Sequence, residues 1–185
     1  MMSKVLNLAK IDPKYQKKVT FQEYGKKKTI EGVQIVNINI MSATDGYFLE
    51  LARLTDKGHL EQFPGFEVRQ INFSVVEPGG IKGWHMHYKQ EDLWYISPDS
   101  MVLVGLRDLR KDSPTMGVEM KFSMGNHKSQ LLLIPRGVAH GVANISTKPA
   151  VMVYLINQQF DINDPDERRL PVDKFGKDFW EMPKG

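Results

Sequence analysis

Polar and apolar residues alternate along several short stretches of this chain. In VNINI (36–40), Val36, Ile38 and Ile40 alternate with Asn37 and Asn39. In VEMKFSM (118–124), Val118, Met120, Phe122 and Met124 alternate with Glu119, Lys121 and Ser123. A period of two sends successive side chains to opposite faces, so each stretch predicts a strand with one face on a core. MVLVGL (101–106), LLLI (131–134) and AVMVYLI (150–156) are short, nearly continuous apolar runs. They read as strands covered on both faces. Turn formers separate them: EPGG at 77–80, SPDS at 97–100, KDSPTMG at 111–117, PRG at 135–137 and STKP at 146–149. Many short strands between frequent turns predict a sandwich or barrel. DGYFLELARLTDKGHLEQF (45–63) reads as a strand edge leading into one short helix. The charged, proline-bearing tail from residue 161 reads as loop with a short helical piece.

Composition narrows the class. The 185 residues suit one domain with a sizeable core, here taken as a basic arm over 1–30 and a barrel over 31–185. Apolar content of 41% and charged content of 25% are those of a globular chain. No apolar run approaches the roughly 18–20 residues that span a bilayer, and the N-terminus lacks a signal-peptide pattern. No membrane role and a cytoplasmic location are therefore expected. The absence of cysteine removes disulfides, thiolate metal sites and cysteine nucleophiles. Residues 1–28 hold eight lysines against Asp12 and Glu23, which leaves the rest of the chain slightly acidic although the net charge is +3. Such an arm can attract a phosphate-bearing substrate, or it can be a solvated terminus. Basic and aromatic residues do not interleave as in a nucleic-acid-binding surface, so no nucleic-acid partner is expected.

The chemistry concentrates in GGIKGWHMHYKQEDLWYISP (79–98). On a strand, residues two apart point the same way, so His85 and His87 share a face. Glu91 follows four residues later, and His140 lies far along the chain in PRGVAHGVAN. These groups can be metal ligands, proton-transfer groups or hydrogen-bonded core residues. Gln70 and Asn72 also alternate, in RQINFS (69–74), and polar residues inside a barrel suit a sugar ligand. Trp84 and Trp94 are most simply core or interface residues.

The segments around the histidines resemble the two cupin motifs. Gly79, His85, His87 and Glu91 keep the spacing of the first motif, with Pro98 where a glycine is usual. Pro135, Gly137, His140 and Asn144 keep the second, with Ser129 in place of its glycine. The resemblance implies a double-stranded β-helix, or jelly-roll barrel, all-β in class. It also implies a divalent ion (iron, manganese, nickel or zinc) on His85, His87, Glu91 and His140, ions that suit imidazole and carboxylate together.

A second resemblance covers roughly residues 45–173. DGYFLE, RQINFS, GGIKGWH, DLRKDSPTMG, IPRGVAHG, VYLINQQF and ERRLPVD follow, in order, segments of the dTDP-4-dehydrorhamnose 3,5-epimerase family. That family is itself built on a cupin-like jelly roll. The resemblance implies removal of a proton from the carbon next to the C4 ketone of a nucleotide-linked sugar, without a cofactor. It makes His85 the base and Tyr154 the acid on the opposite face. His140 then orients the sugar or holds the enolate, and Lys82, Gln70, Asn72, Arg110 and Phe160 contact the substrate. A base, an opposed donor and enolate stabilisation are what such a carbon acid requires.

Departures accompany the likeness. The family's phosphate-gripping arginine falls at Asp45, and the arginine of its R-G-L-H signature falls at Lys82, a point charge in place of a fork. Its enolate-stabilising lysine falls at or near Leu93, the glutamine-like position two residues past its base has become His87, and its base-orienting aspartate lies beyond the end of this chain. Three readings follow. The leading one is an epimerase or isomerase of a nucleotide-linked 4-keto-deoxysugar. The others are a metal-dependent cupin (dioxygenase or sugar isomerase) and a non-catalytic small-molecule-binding barrel. An open sheet edge makes a homodimer the expected assembly.

Overall fold

The computed structural model describes residues 6–21, 25 and 28–182. Parts of the expected arm, residues 1–5, 22–24 and 26–27, lie outside the described residues. Within the arm, Asp12 caps a single helical turn, α1 (Pro13–Gln16), by accepting from the Lys14 N–H, with Pro13 at the first helical position. Ile30 is already buried in the main core.

Among the described residues, twelve strands carry the fold: β1 (Gln34–Asn37), β2 (Met41–Ala43), β3 (Gly46–Phe48), β4 (Gln70–Val76), β5 (Ile81–Met86), β6 (Asp92–Ile96), β7 (Met101–Asp108), β8 (Glu119–Gly125), β9 (Gln130–Ile134), β10 (Val138–Asn144), β11 (Ala150–Ile156) and β12 (Arg168–Arg169). One sheet runs β1-β9-β6-β11-β4 and the other β12-β5-β10-β7-β8, all antiparallel. This is the expected all-β jelly-roll barrel. Strands adjacent in sequence mostly cross between the sheets, so residues far apart in the chain meet inside. A separate hairpin pairs β2 with β3.

Among the described residues, three apolar clusters follow from the alternation. The inner one joins Trp94, Ile96 and Met152 of the first sheet to Val104, Leu106 and Val142 of the second. A second covers the outer face of the first sheet, where Leu60, Phe63 and Phe66 pack on Leu93, Leu131 and Leu155. The third covers the outer face of the second sheet, where Phe179 and Trp180 of the tail pack on Trp84, Leu103 and Ala139. The apolar runs at 101–106, 131–134 and 150–156 are therefore strands covered on both faces, as expected.

Three local expectations are corrected. VNINI is strand only as far as Asn37. The stretch 45–63 forms β3 and then a turn closed by a bridge between Leu54 and Leu60, with no helix. Gly58, at φ +78°, and Pro64 interrupt a pattern whose apolar positions serve as the outer cover. The described part of the tail holds turns and β12 but no helix. Among the described residues, no helix is long and apolar enough to cross a membrane.

Candidate active site

Between the two sheets lies a cavity of about 730 Å³. Gln70 and Asn72 alternate into it along β4, and Met152, Tyr154 and Ile156 along β11. Register sets Tyr154 opposite Asn72 on one side and Trp94 on the other. From the other sheet Lys82 and His85 enter on β5, and His87 follows just past its end.

The Gly83-Trp84-His85 sequence explains how His85 is aimed. The pairing of β10 with β5 shifts by one residue here: His140 faces His85, but Gly141 faces Gly83. Trp84 is the extra residue of this bulge. Its ring packs outward against Phe175, Phe179 and Trp180, and its indole N–H donates to the Val172 carbonyl at 3.1 Å. A Cβ on Gly83 would lie 2.8 Å from the Cα of Gly141, so the backbones approach as closely as glycine allows. Close approach, outward anchor and inward histidine are one local device.

Burial sets the electrostatics. Loss of solvent pushes His85 down to about 4, helped by the nearby His140 ring, while Glu167 pulls the other way. His85 is thus a neutral imidazole at physiological pH, able to accept a proton. Burial also pushes His140 down, to about 3, with His87 adding to the effect. The His140 Nδ1–H donates to the Val138 carbonyl at 2.9 Å, which leaves Nε2 as a lone pair. The Tyr154 phenol is raised, first by burial and then by the negative charges of Asp92 and Glu167, so it stays protonated and can donate. His85 and His87 each lie 5.3 Å from His140, ring centre to ring centre.

The sequence profile of a family described as dTDP-4-dehydrorhamnose 3,5-epimerase matches residues 27–174. The chain belongs to the dTDP-4-dehydrorhamnose 3,5-epimerase family. The spore coat polysaccharide biosynthesis protein SpsL of Bacillus subtilis is 39% identical over 144 residues, covering 78% of this chain and 91% of the relative. The probable low-salt glycan biosynthesis epimerase Agl13 of Haloferax volcanii is 29% identical over 144 residues, 78% of this chain and 89% of the relative. A solved dTDP sugar isomerase from Desulfovibrio desulfuricans G20 superposes with a TM-score of 0.68 at 26% identity, covering 83% of this chain and 91% of that one. This epimerase-family chain is thus an enzyme of the nucleotide-sugar epimerase/isomerase class, and a metal-dependent oxygenase or sugar isomerase is not favoured.

The barrel gathers most of the residues singled out above. His85, His87, Tyr154, Lys82, Gln70, Asn72 and Phe160 all line the cavity. The Gln70 side chain is held at both ends, donating to Asn72 Oδ1 at 2.7 Å and accepting from the Phe160 N–H at 2.9 Å. Lys82 donates to Ser74 Oγ. His140 is different: it is 1% exposed and lies behind the wall, packed edge-on against Trp94.

Two expectations fail on geometry. Arg110 lies outside the cavity lining. Its guanidinium is bound to the buried Asp108 at 2.8 Å and to the Glu31 carbonyl at 2.7 Å, where it braces a turn. Glu91 does not join the histidines, so the expected set of His85, His87, Glu91 and His140 is not assembled. Its carboxylate accepts from the Asn157 amide at 3.0 Å, with Arg136 at 3.9 Å. The next residue, Asp92, starts β6 and points inward, because one step along a strand reverses the face.

Asp92 is the main residue that the sequence reading passed over. Its signal was present in DLWYI, where a carboxylate shares the inward face with Trp94 and Ile96. Asp166 and Glu167 were also missed, since a charged tail without periodicity gives no direction. Asp166 ties the tail to the 88–90 turn by accepting from the N–H groups of Tyr88, Lys89 and Gln90. Glu167 follows it and lines the cavity, close enough to act on His85.

Proposed function

We propose that this chain inverts a carbon next to the C4 ketone of a nucleotide-linked 4-keto-deoxysugar, with His85 as base and Tyr154 as acid. One observation carries the reading: a neutral imidazole from β5 and a protonated phenol from β11 enter the same cavity from opposing sheets. Inversion needs a proton removed from one face of the planar enolate and returned to the other. A base and a donor on facing walls suit that requirement. Lys82, Gln70, Asn72 and Phe160 are proposed to hold the substrate, and Glu167 to orient His85 in the role of the family's aspartate. Proton transfer alone requires no cofactor. A sugar-nucleotide substrate suits a cytoplasmic enzyme of carbohydrate biosynthesis, and the Bacillus relative is named for spore coat polysaccharide biosynthesis.

A homodimer belongs to the same proposal. The strand β4 ends its sheet, and its outward row Ile71, Phe73 and Val75 is 63%, 69% and 40% exposed. A contiguous apolar row on an edge strand suits a second copy of the chain.

The test of the chemistry is the His85→Gln variant, assayed with a dTDP-4-keto-6-deoxyhexose. The expected result is a loss of epimerisation of roughly 100- to 10,000-fold with the fold intact. Full activity in that variant would end the assignment.

A further inference from the structure

Three buried side chains behind the catalytic pair point lone pairs at one spot. They are His87, Asp92 and His140, at 7%, 4% and 1% exposure. The His87 Nδ1 meets the Asp166 backbone carbonyl, and the His140 Nδ1 meets that of Val138. A carbonyl only accepts, so both Nδ1 atoms carry the hydrogen and both Nε2 atoms present lone pairs. Those lone pairs face the carboxylate of Asp92: His140 Nε2 lies 3.6 Å from one oxygen and His87 Nε2 lies 3.8 Å from the other. The three ligand atoms all fall within 4.8 Å of one another.

Acceptors facing acceptors in a buried site need a donor or a positive charge between them. Among the described residues, His140 Nε2 has no hydrogen-bond partner. The Gln90 amide donates to Asp92 Oδ1 at 2.7 Å and lies 3.4 Å from His87 Nε2, and the Trp94 N–H donates to Asp92 Oδ2 at 3.0 Å. The Gln90 amide thus bridges His87 and Asp92 and would have to yield its place to an ion, while His140 Nε2 is left without a partner among the described residues.

We propose that His87, Asp92 and His140 bind one divalent transition-metal ion. Two imidazoles and a carboxylate suit zinc, manganese, iron, cobalt or nickel. Metal–ligand bonds of about 2.1 Å put the donors of a four-coordinate site about 3.4 Å apart; the two histidine–carboxylate distances, 3.6 and 3.8 Å, are already close to that, while the widest separation, within 4.8 Å, has to close on binding. Histidines whose other nitrogen donates to a backbone carbonyl are already oriented as metal ligands. His85 is outside the set, so its role as base is free of the ion. This differs from the expected cupin set, with Asp92 in place of Glu91 and three protein ligands instead of four. His87 and Asp92 line the cavity, so an open coordination position faces it. If the epimerase reading holds, the ion supplies positive charge beside Leu93, where the family's enolate lysine is missing.

The test uses the full chain, stripped with a chelator, dialysed and checked for cooperative melting. Zinc, manganese and cobalt are then titrated by calorimetry, with cobalt also followed by visible absorption. The expected result is one ion per chain, a raised melting temperature and the d–d bands of a four- or five-coordinate cobalt. Asp92→Asn and His87→Gln are each expected to weaken binding at least about 10-fold, whereas His85→Gln keeps it. If one of the two ligand variants does not melt cooperatively, the other is read. A folded wild type without stoichiometric binding overturns the proposal, as does a folded ligand variant that binds equally well. Epimerisation by a folded protein that binds no ion refutes the ion alone, and a bound ion without epimerisation refutes the epimerase reading alone.

Discussion

His85 and Tyr154 differ in what they do to a proton, and that difference is measurable. His85 removes the proton and Tyr154 replaces it from the other side. The Tyr154→Phe variant is therefore expected to keep exchanging the substrate proton with solvent while its yield of inverted product falls roughly 100-fold or more. The measurement is NMR of the keto sugar in deuterium oxide beside product analysis. Equal loss of exchange and inversion would mean that the phenol does more than donate. At this scale the histidines were legible because spacing on a strand fixes direction. Glu91 misled because motif spacing alone does not say which of two adjacent residues faces inward. The alternation through Asp92, Trp94 and Ile96 does say so.

At the scale of elements, strands positioned the site more than any single residue. The bulge at Gly83-Trp84 aims His85, and adding a methyl group there meets backbone at 2.8 Å. Gly83→Ala is expected to lower stability by about 1–3 kcal/mol and to reduce turnover more than substrate affinity, read by thermal unfolding and steady-state kinetics. The turn after β7 offers a second test. Burial alone would raise the Asp108 carboxyl, but hydrogen bonds from Arg110, Ser113 and Thr115 outweigh it and hold the group well below the usual carboxylate range. A depressed folded-state value contributes stability above the unfolded value of about 3.9. That contribution is lost as pH falls below it, where the unfolded chain takes up the proton first. Asp108→Asn is expected to cost on the order of 3 kcal/mol at neutral pH, and the deficit should shrink towards pH 3 in denaturant titrations. Continuous apolar runs made most of these strands readable in advance. The stretch 45–63 was not, because its apolar residues cover a sheet from outside and follow that surface instead of a helical period.

For the whole molecule, fold and activity class were legible because short motifs recur in a fixed order along most of the chain. The closing of the site was not. Phe175, Phe179 and Trp180 seal the outer face over Trp84, and Asp166 and Glu167 reach the histidine side from the same tail. Such long-range contacts leave no local period in the sequence. The apolar row on β4 gives the expected assembly a direct check. Light scattering should find a dimer, and Phe73→Asp should give a folded monomer. A wild-type monomer at micromolar concentration would contradict that assembly.

The central claim is that a barrel histidine takes a proton from carbon. It is tested most directly by incubating the enzyme with a dTDP-4-keto-6-deoxyhexose in deuterium oxide and locating the label by NMR. Deuterium at the carbon next to the ketone with wild type, and none above background with His85→Gln, is the expected result. Equal labelling by the two proteins, or inversion without any label, would contradict it.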